Sequence, residues 1–95
     1  MIFKFHESAE KELLDAIDYY ESSEPGLGFK FSGEVLSAIY RICEHPQAWT
    51  EIDAQTRRCL TQKFPYGILY RIVENEILIM AVMHLHRKPD YWKER

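Results

Sequence analysis

The sequence predicts an α+β domain of order β-αα-βββ, an antiparallel sheet with a helical hairpin packed on one face. Three observations carry that prediction. Residues 64–87 hold two runs rich in β-branched and aromatic side chains around the polar triplet Glu74-Asn75-Glu76, which is the pattern of a β-hairpin. Residues 77–83 carry no charge, so this strand belongs in the middle of the sheet with both faces covered. Two stretches of 3–4 residue apolar periodicity, separated only around Pro25, precede it.

The elements follow in order. Ile2-Phe3-Lys4-Phe5-His6 alternates and reads as a short first strand. Ser8 is the expected N-cap of the first helix, with Glu7, Glu10 and Glu12 suited to its positive end. Ala9, Leu13, Ala16 or Ile17, and Tyr20 form its apolar stripe, and Pro25 ends it by disfavouring helical geometry at Glu24. Pro25-Gly26-Leu27-Gly28 opens the second helix, where the glycines suit a close approach of backbones. Phe31, Ser32, Val35, Leu36, Ile39, Ile42 and Cys43 give that helix a broad apolar face. His45-Pro46 ends the helical pair, residues 46–56 read as a loop with Trp49 closing one end of the core, and residues 57–64 resume strand alternation. After the hairpin, residues 88–93 read as a tail with one helical turn begun by Pro89.

Ninety-five residues, 46% hydrophobic and 28% charged, describe one ordinary globular domain spanning 1–95. No apolar run approaches the roughly 18 residues that span a bilayer, and no signal-like segment opens the chain, so the expected location is the cytoplasm. Cys43 and Cys59 lack CxxC spacing and read as buried thiols, with a disulfide as the weaker alternative. The formal net charge is −3, yet most carboxylates precede Arg57, whereas Arg57, Arg58, Lys63, Arg71, Arg87, Lys88, Lys93 and Arg95 follow. An acidic half and a basic half suggest two surfaces with different partners.

No phosphate loop, HExxH, GxSxG or paired CxxC is present, and no cofactor or metal is expected. His84 and His86 fall on one face of a strand but lack a third ligand at metal-binding spacing. The basic and aromatic set Arg58, Lys63, Tyr70, Arg71, His84, His86 and Arg87 belongs to adjacent strands or their ends. Such groups neutralise phosphates, stack on bases and move protons, so they are the catalytic candidates of an RNA-cleaving site. Composition alone favours the plainer reading, that they are the ordinary charged residues of a sheet's exposed face.

The run Phe64-Pro65-Tyr66-Gly67-Ile68-Leu69-Tyr70-Arg71-Ile72, the hairpin, and the ending His84 to Trp92 resemble the ParE branch of the RelE/ParE toxin superfamily. Pro25 to Phe31, His45-Pro46 and Trp49 fit the same resemblance, which covers nearly the whole chain. It implies the toxin of a type II toxin–antitoxin system that maintains plasmids or arrests growth, neutralised by a cognate antitoxin in a hetero-oligomer. It also implies inhibition of DNA gyrase. The alternatives are a RelE-like ribosome-dependent mRNA endoribonuclease, or a non-toxic binding module of the same fold. Gly67 stands where the nuclease pattern has an arginine, and the acidic balance does not suit ribosomal RNA. On this reading Glu10, Leu14, Asp18, Phe31 and Val35 contact the antitoxin, while Arg71, Arg87, Lys88, Tyr91 and Trp92 contact the target.

Overall fold

A computed structural model describes residues 1–95. The first strand, β1 (Phe3–Phe5), leads into helix α1 (Glu7–Ser23) and helix α2 (Leu27–Glu44). Four strands follow: β2 (Thr50–Glu51), β3 (Arg57–Leu60), β4 (Tyr66–Val73) and β5 (Glu76–His84). The sheet order is β1-β5-β4-β3-β2. The expected helical hairpin and C-terminal hairpin are both present. The sheet is mixed rather than wholly antiparallel, because β1 runs parallel to β5. Periodicity within a short strand carries no information about the direction of its distant partner. No helix is long and apolar enough to cross a membrane.

Local chemistry sets the boundaries. The N-cap of α1 is His6, not Ser8: the His6 Nδ1 accepts from the Ser8 N–H at 3.1 Å. At α2 the cap is supplied from the preceding helix, where the Glu21 carboxylate accepts from the N–H groups of Gly26 and Gly28. Gly26 takes a left-handed φ of 88°. A Cβ at Gly28 would lie 2.6 Å from the Ile17 carbonyl oxygen, so the two helices close only because that side chain is absent. The β4–β5 turn is the two residues Glu74 and Asn75, both at positive φ as a type I′ turn requires, and Glu76 already belongs to β5.

β3 ends at Leu60, four residues earlier than the alternation implied. Residues 61–64 instead form a tight connection: the Thr61 hydroxyl donates to the Phe64 carbonyl, and Glu34 accepts from the N–H groups of Gln62 and Lys63. The 46–56 stretch contains the two-residue β2 and is pinned by Arg57, which donates to the Trp49 carbonyl at 2.7 Å and pairs with Glu51.

The helices cover one face of the sheet. Ala9, Ala16, Phe31, Val35, Ala38, Ile39 and Ile42 meet Cys59, Tyr66, Ile68, Tyr70, Ile77, Ile79 and Val82, with Leu13, Ile17 and Trp49 packed around them. β5 switches parity within this layer, since Ile77 and Ile79 face the helices and so does Val82. The cause is a bulge at Met80, where Leu69 pairs with Ala81 but Tyr70 pairs with Ile79. The opposite face holds Leu69, Met80, Ala81 and Met83 under Trp92. The uncharged run of β5 is therefore covered on both faces, as its composition predicts, and the second cover is the C-terminal tail. That tail is a series of turns rather than a helix.

Two outcomes test this packing. Ile39 is fully buried, so Ile39→Ala should lower stability by ~2–5 kcal/mol in denaturant titration, and a loss below ~0.5 kcal/mol would contradict the packing. Glu34 is held below its ordinary value of 4.5 by the Lys63 and then the Gln62 backbone N–H groups. A carboxylate whose folded pKa is depressed adds stability above its unfolded pKa and loses it as pH falls. The stability difference between wild type and Glu34→Gln should therefore shrink as pH falls below 4.5; a pH-independent difference would contradict the role of Glu34.

Candidate functional site

The nuclease candidates are dispersed. Tyr70 is fully buried on the helix-facing side of β4, and its hydroxyl donates to the Pro46 carbonyl at 2.6 Å. Burial closes the side chain off from the surface and pushes its phenol up to about 12. Arg71 turns to the other face, where its Nε donates to the Thr56 hydroxyl at 3.0 Å and its guanidinium lies 6.0 Å from the Trp92 ring. Arg58 lays its stem across Gly67: a Cβ there would lie 2.9 Å from the Arg58 Cδ. The absent side chain at Gly67 is thus filled by a neighbour, and an arginine at that position would have to displace Arg58. The Arg58 Nε is buried without a hydrogen-bond partner. Lys63 is exposed beyond the end of β3.

His84, His86 and Arg87 gather at a different place, the end of β5. The His84 ring packs edge-on to Tyr66 at 5.1 Å, and its Nδ1 accepts from the His86 N–H at 3.1 Å. Because Nδ1 is the acceptor, neutral His84 carries its proton on Nε2. Arg87 stacks on Tyr91 at 3.7 Å and pairs with Glu12 at 3.4 Å. Its charge is already partnered. Arg58 and Arg71 on the tail-side face and the histidines at the strand end do not form one constellation.

What the sequence conceals is the role of Glu12. The outer edge of β5 is exposed once β1 ends, and an unpaired buried backbone group is costly. Glu12 Oε1 accepts from the Val82 N–H at 3.0 Å, while Arg95 donates to the Met80 carbonyl at 2.9 Å and forks onto both Glu12 oxygens at 2.8 and 2.9 Å. The Tyr91 hydroxyl also donates to Glu12. Burial and then this bond to Glu12 drive the Tyr91 pKa upward, and the same carboxylate raises Arg95. An ion pair between α1 and the last residue thus stands in for a missing strand. Spacing gives no hint of a pairing across 83 positions.

The helical surface differs from expectation in part. Glu10, Leu14 and Asp18 are exposed on α1. Phe31 and Val35 are not available to a partner, because both are fully buried in the layer between helix and sheet; Phe31 lies against Tyr20, Phe64 and Tyr66. Trp92 is likewise no contact residue, being fully buried over the second face of the sheet. Arg87 and Lys88 are exposed and Tyr91 half-buried. The apolar side chains that α2 does present are Phe29 and Tyr40, at 84% and 57% exposure, with half-buried Leu36 between them. The i, i+7, i+11 spacing of Phe29, Leu36 and Tyr40 is a second stripe readable in the sequence once Phe31, Val35, Ile39 and Ile42 are assigned inward.

Comparison with known proteins gives a consistent result. The family described as the ParE toxin of type II toxin-antitoxin system, parDE, matches residues 3–89. Toxin ParE2 of Mycobacterium tuberculosis, in strains CDC 1551 / Oshkosh and ATCC 25618 / H37Rv, is 26% identical over 88 residues, which cover 92% of this chain and 84% of the relative. The solved structure described as the chromosomal ParDE TA system from P. aeruginosa superposes with a TM-score of 0.79 at 17% identity, covering 90% of this chain and 97% of that chain, and so shares the fold.

Because Tyr70 serves packing, Tyr70→Phe should lower stability by ~1–3 kcal/mol through the orphaned Pro46 carbonyl. Its effect on growth arrest should be no larger than that stability loss explains. A folded Tyr70→Phe protein with abolished toxicity would return Tyr70 to the site.

Proposed function

The chain belongs to the ParE toxin family of type II toxin–antitoxin systems, and we propose that it arrests growth by binding DNA gyrase and not by cleaving RNA. As the toxin of such a system it has an antitoxin for a partner. Support for the gyrase reading comes from the family branch together with one observation: the nuclease candidates are scattered. Tyr70 is sealed in the core, and Arg58 occupies the space over Gly67 where the nuclease pattern has an arginine. General acid–base chemistry needs its groups within hydrogen-bond reach of one substrate position. The surface left for the target is Arg87, Lys88 and the edge of Tyr91, with Arg71 on the neighbouring strand. Purified gyrase should lose supercoiling activity on addition of this protein. Full activity at excess toxin would overturn the proposal, as would codon-phased cuts in translated messages.

The antitoxin reading assigns its contacts to the exposed side chains of the helices. On α1 these are Glu10, Leu14 and Asp18; on α2 they are Phe29 and Tyr40 in place of the buried Phe31 and Val35. Exposed aromatics anchor interfaces because they bury large area at low cost in conformational entropy.

Two variants separate these surfaces. Phe29→Asp should weaken antitoxin binding roughly tenfold or more while leaving thermal stability nearly unchanged, since the ring is 84% exposed. Arg71→Ala with Arg87→Ala should weaken association with gyrase while the antitoxin still binds. Unchanged antitoxin affinity for Phe29→Asp would remove α2 from the docking surface.

A further inference from the structure

Five of the six arginines donate side-chain hydrogen bonds: Arg41 to Ser37, Arg57 to Trp49, Arg71 to Thr56, and Arg87 and Arg95 to Glu12. Arg58 donates none, and no carboxylate pairs with it. It is half-buried in β3, and its Nε is closed off from solvent without an acceptor. Part of its hydration is therefore already lost in the free protein. A carboxylate that reaches the terminal nitrogens gains more from such a cation than from a fully solvated one.

The surroundings of that side chain are apolar. Arg58 stands opposite Leu69 and leans toward Gly67, where a Cβ would lie 2.9 Å from its Cδ and 3.1 Å from its Cγ. The same Cβ would touch Leu85 at 3.5 Å. Alternate residues of a strand share a face, so Leu60 lies beside Arg58 on the tail side of the sheet, opposite Gly67. Leu60 is 47% and Leu85 38% exposed. The tail covers Leu69, Met80, Ala81 and Met83, and it leaves these two leucines bare. From Leu85 the chain runs straight into the exposed turn of Arg87 and Lys88, so the patch continues the surface assigned to the target.

We infer that this patch receives a loop of gyrase, in which an Asp or Glu side chain pairs with the Arg58 guanidinium and a neighbouring apolar side chain rests on Leu60 and Leu85. The inference rests on the gyrase reading and deepens it by naming the surface and the chemistry it meets. The aliphatic flanks decide for a protein loop over a nucleic acid. A phosphate backbone asks for a row of free cations, and the next cation on this face, Arg71, is held by Thr56 on the far side of Leu69. A single arginine among apolar side chains that exclude water is instead the usual anchor of a protein interface. Gly67 is a positioning residue here, because its missing Cβ lets the Arg58 stem lie against the strand.

The test is the affinity of the protein for purified gyrase. Arg58→Met keeps the apolar stem and removes the guanidinium; it should bind at least about tenfold more weakly and melt no lower than wild type, since it loses no hydrogen bond. Arg58→Lys keeps the charge without the planar fork and should recover part of the loss. Gly67→Ala should weaken binding several-fold on its own and have no further effect in the Arg58→Met protein, because it acts through the placement of the guanidinium. Wild-type affinity in folded Arg58→Met overturns the inference and leaves the gyrase reading standing. If Arg58→Met does not fold, Leu60→Asp decides: it sets a carboxylate of the chain's own beside Arg58, and unchanged gyrase affinity overturns the inference. Binding of a DNA or RNA oligonucleotide by the protein alone, lost in Arg58→Met, assigns the patch to phosphate and overturns it too. Absence of any complex between wild type and gyrase removes the target reading and the inference together.

Discussion

One carboxylate holds the architecture together. Glu12, 13% exposed, receives the Val82 N–H, two bonds from Arg95, the Tyr91 hydroxyl and Arg87. A carboxylate so enclosed is tolerated only when its oxygens are paired, and the partners here come from β5 and from the C-terminal stretch 87–95. The bonds join α1 to the edge of β5 and to the final residue at once. By fixing Arg95 and Tyr91 they seat Trp92 over Leu69, Met80, Ala81 and Met83. Without that lid, the face of the sheet opposite the helices would be an open apolar layer.

The elements legible in the sequence were those whose cause is local. The hairpin reads from Glu74-Asn75 and its flanking runs, and the helices read from their apolar period and Pro25. The inward stripe of Leu13, Ile17, Val35, Ile39 and Ile42 reads the same way. What escaped has a non-local cause. The parallel pairing of β1 depends on a crossover through both helices, and the bulge at Met80 depends on packing against two layers. Assigning Phe31 and Val35 both to the core stripe and to a partner asked one face of a helix to do two things; the structure gives them to the core. Trp92 looked like a surface anchor because its cover function requires the Glu12–Arg95 pair, which joins opposite ends of the chain.

The same economy shapes the functional surface. Basic side chains that look available by composition are largely engaged: Arg57 holds the loop before β3, Arg71 reaches Thr56, and Arg87 and Arg95 reach Glu12. Gly67 and Arg58 form a single packing unit, so the missing arginine at Gly67 is part of how this face is filled. The exposed acids and aromatics lie on the outside of the helices, and Arg87 at the strand-end turn reaches back to α1 through Glu12.

The claim that the Glu12–Arg95 pair replaces a strand and seats the tail is tested most directly by a double-mutant cycle. Stability is measured for wild type, Glu12→Gln, Arg95→Gln and the double variant. The account predicts a coupling energy of about 1–3 kcal/mol, with loss of the buried Trp92 fluorescence signature in each single variant. Additive effects within ~0.5 kcal/mol, with the Trp92 signal unchanged, would contradict it.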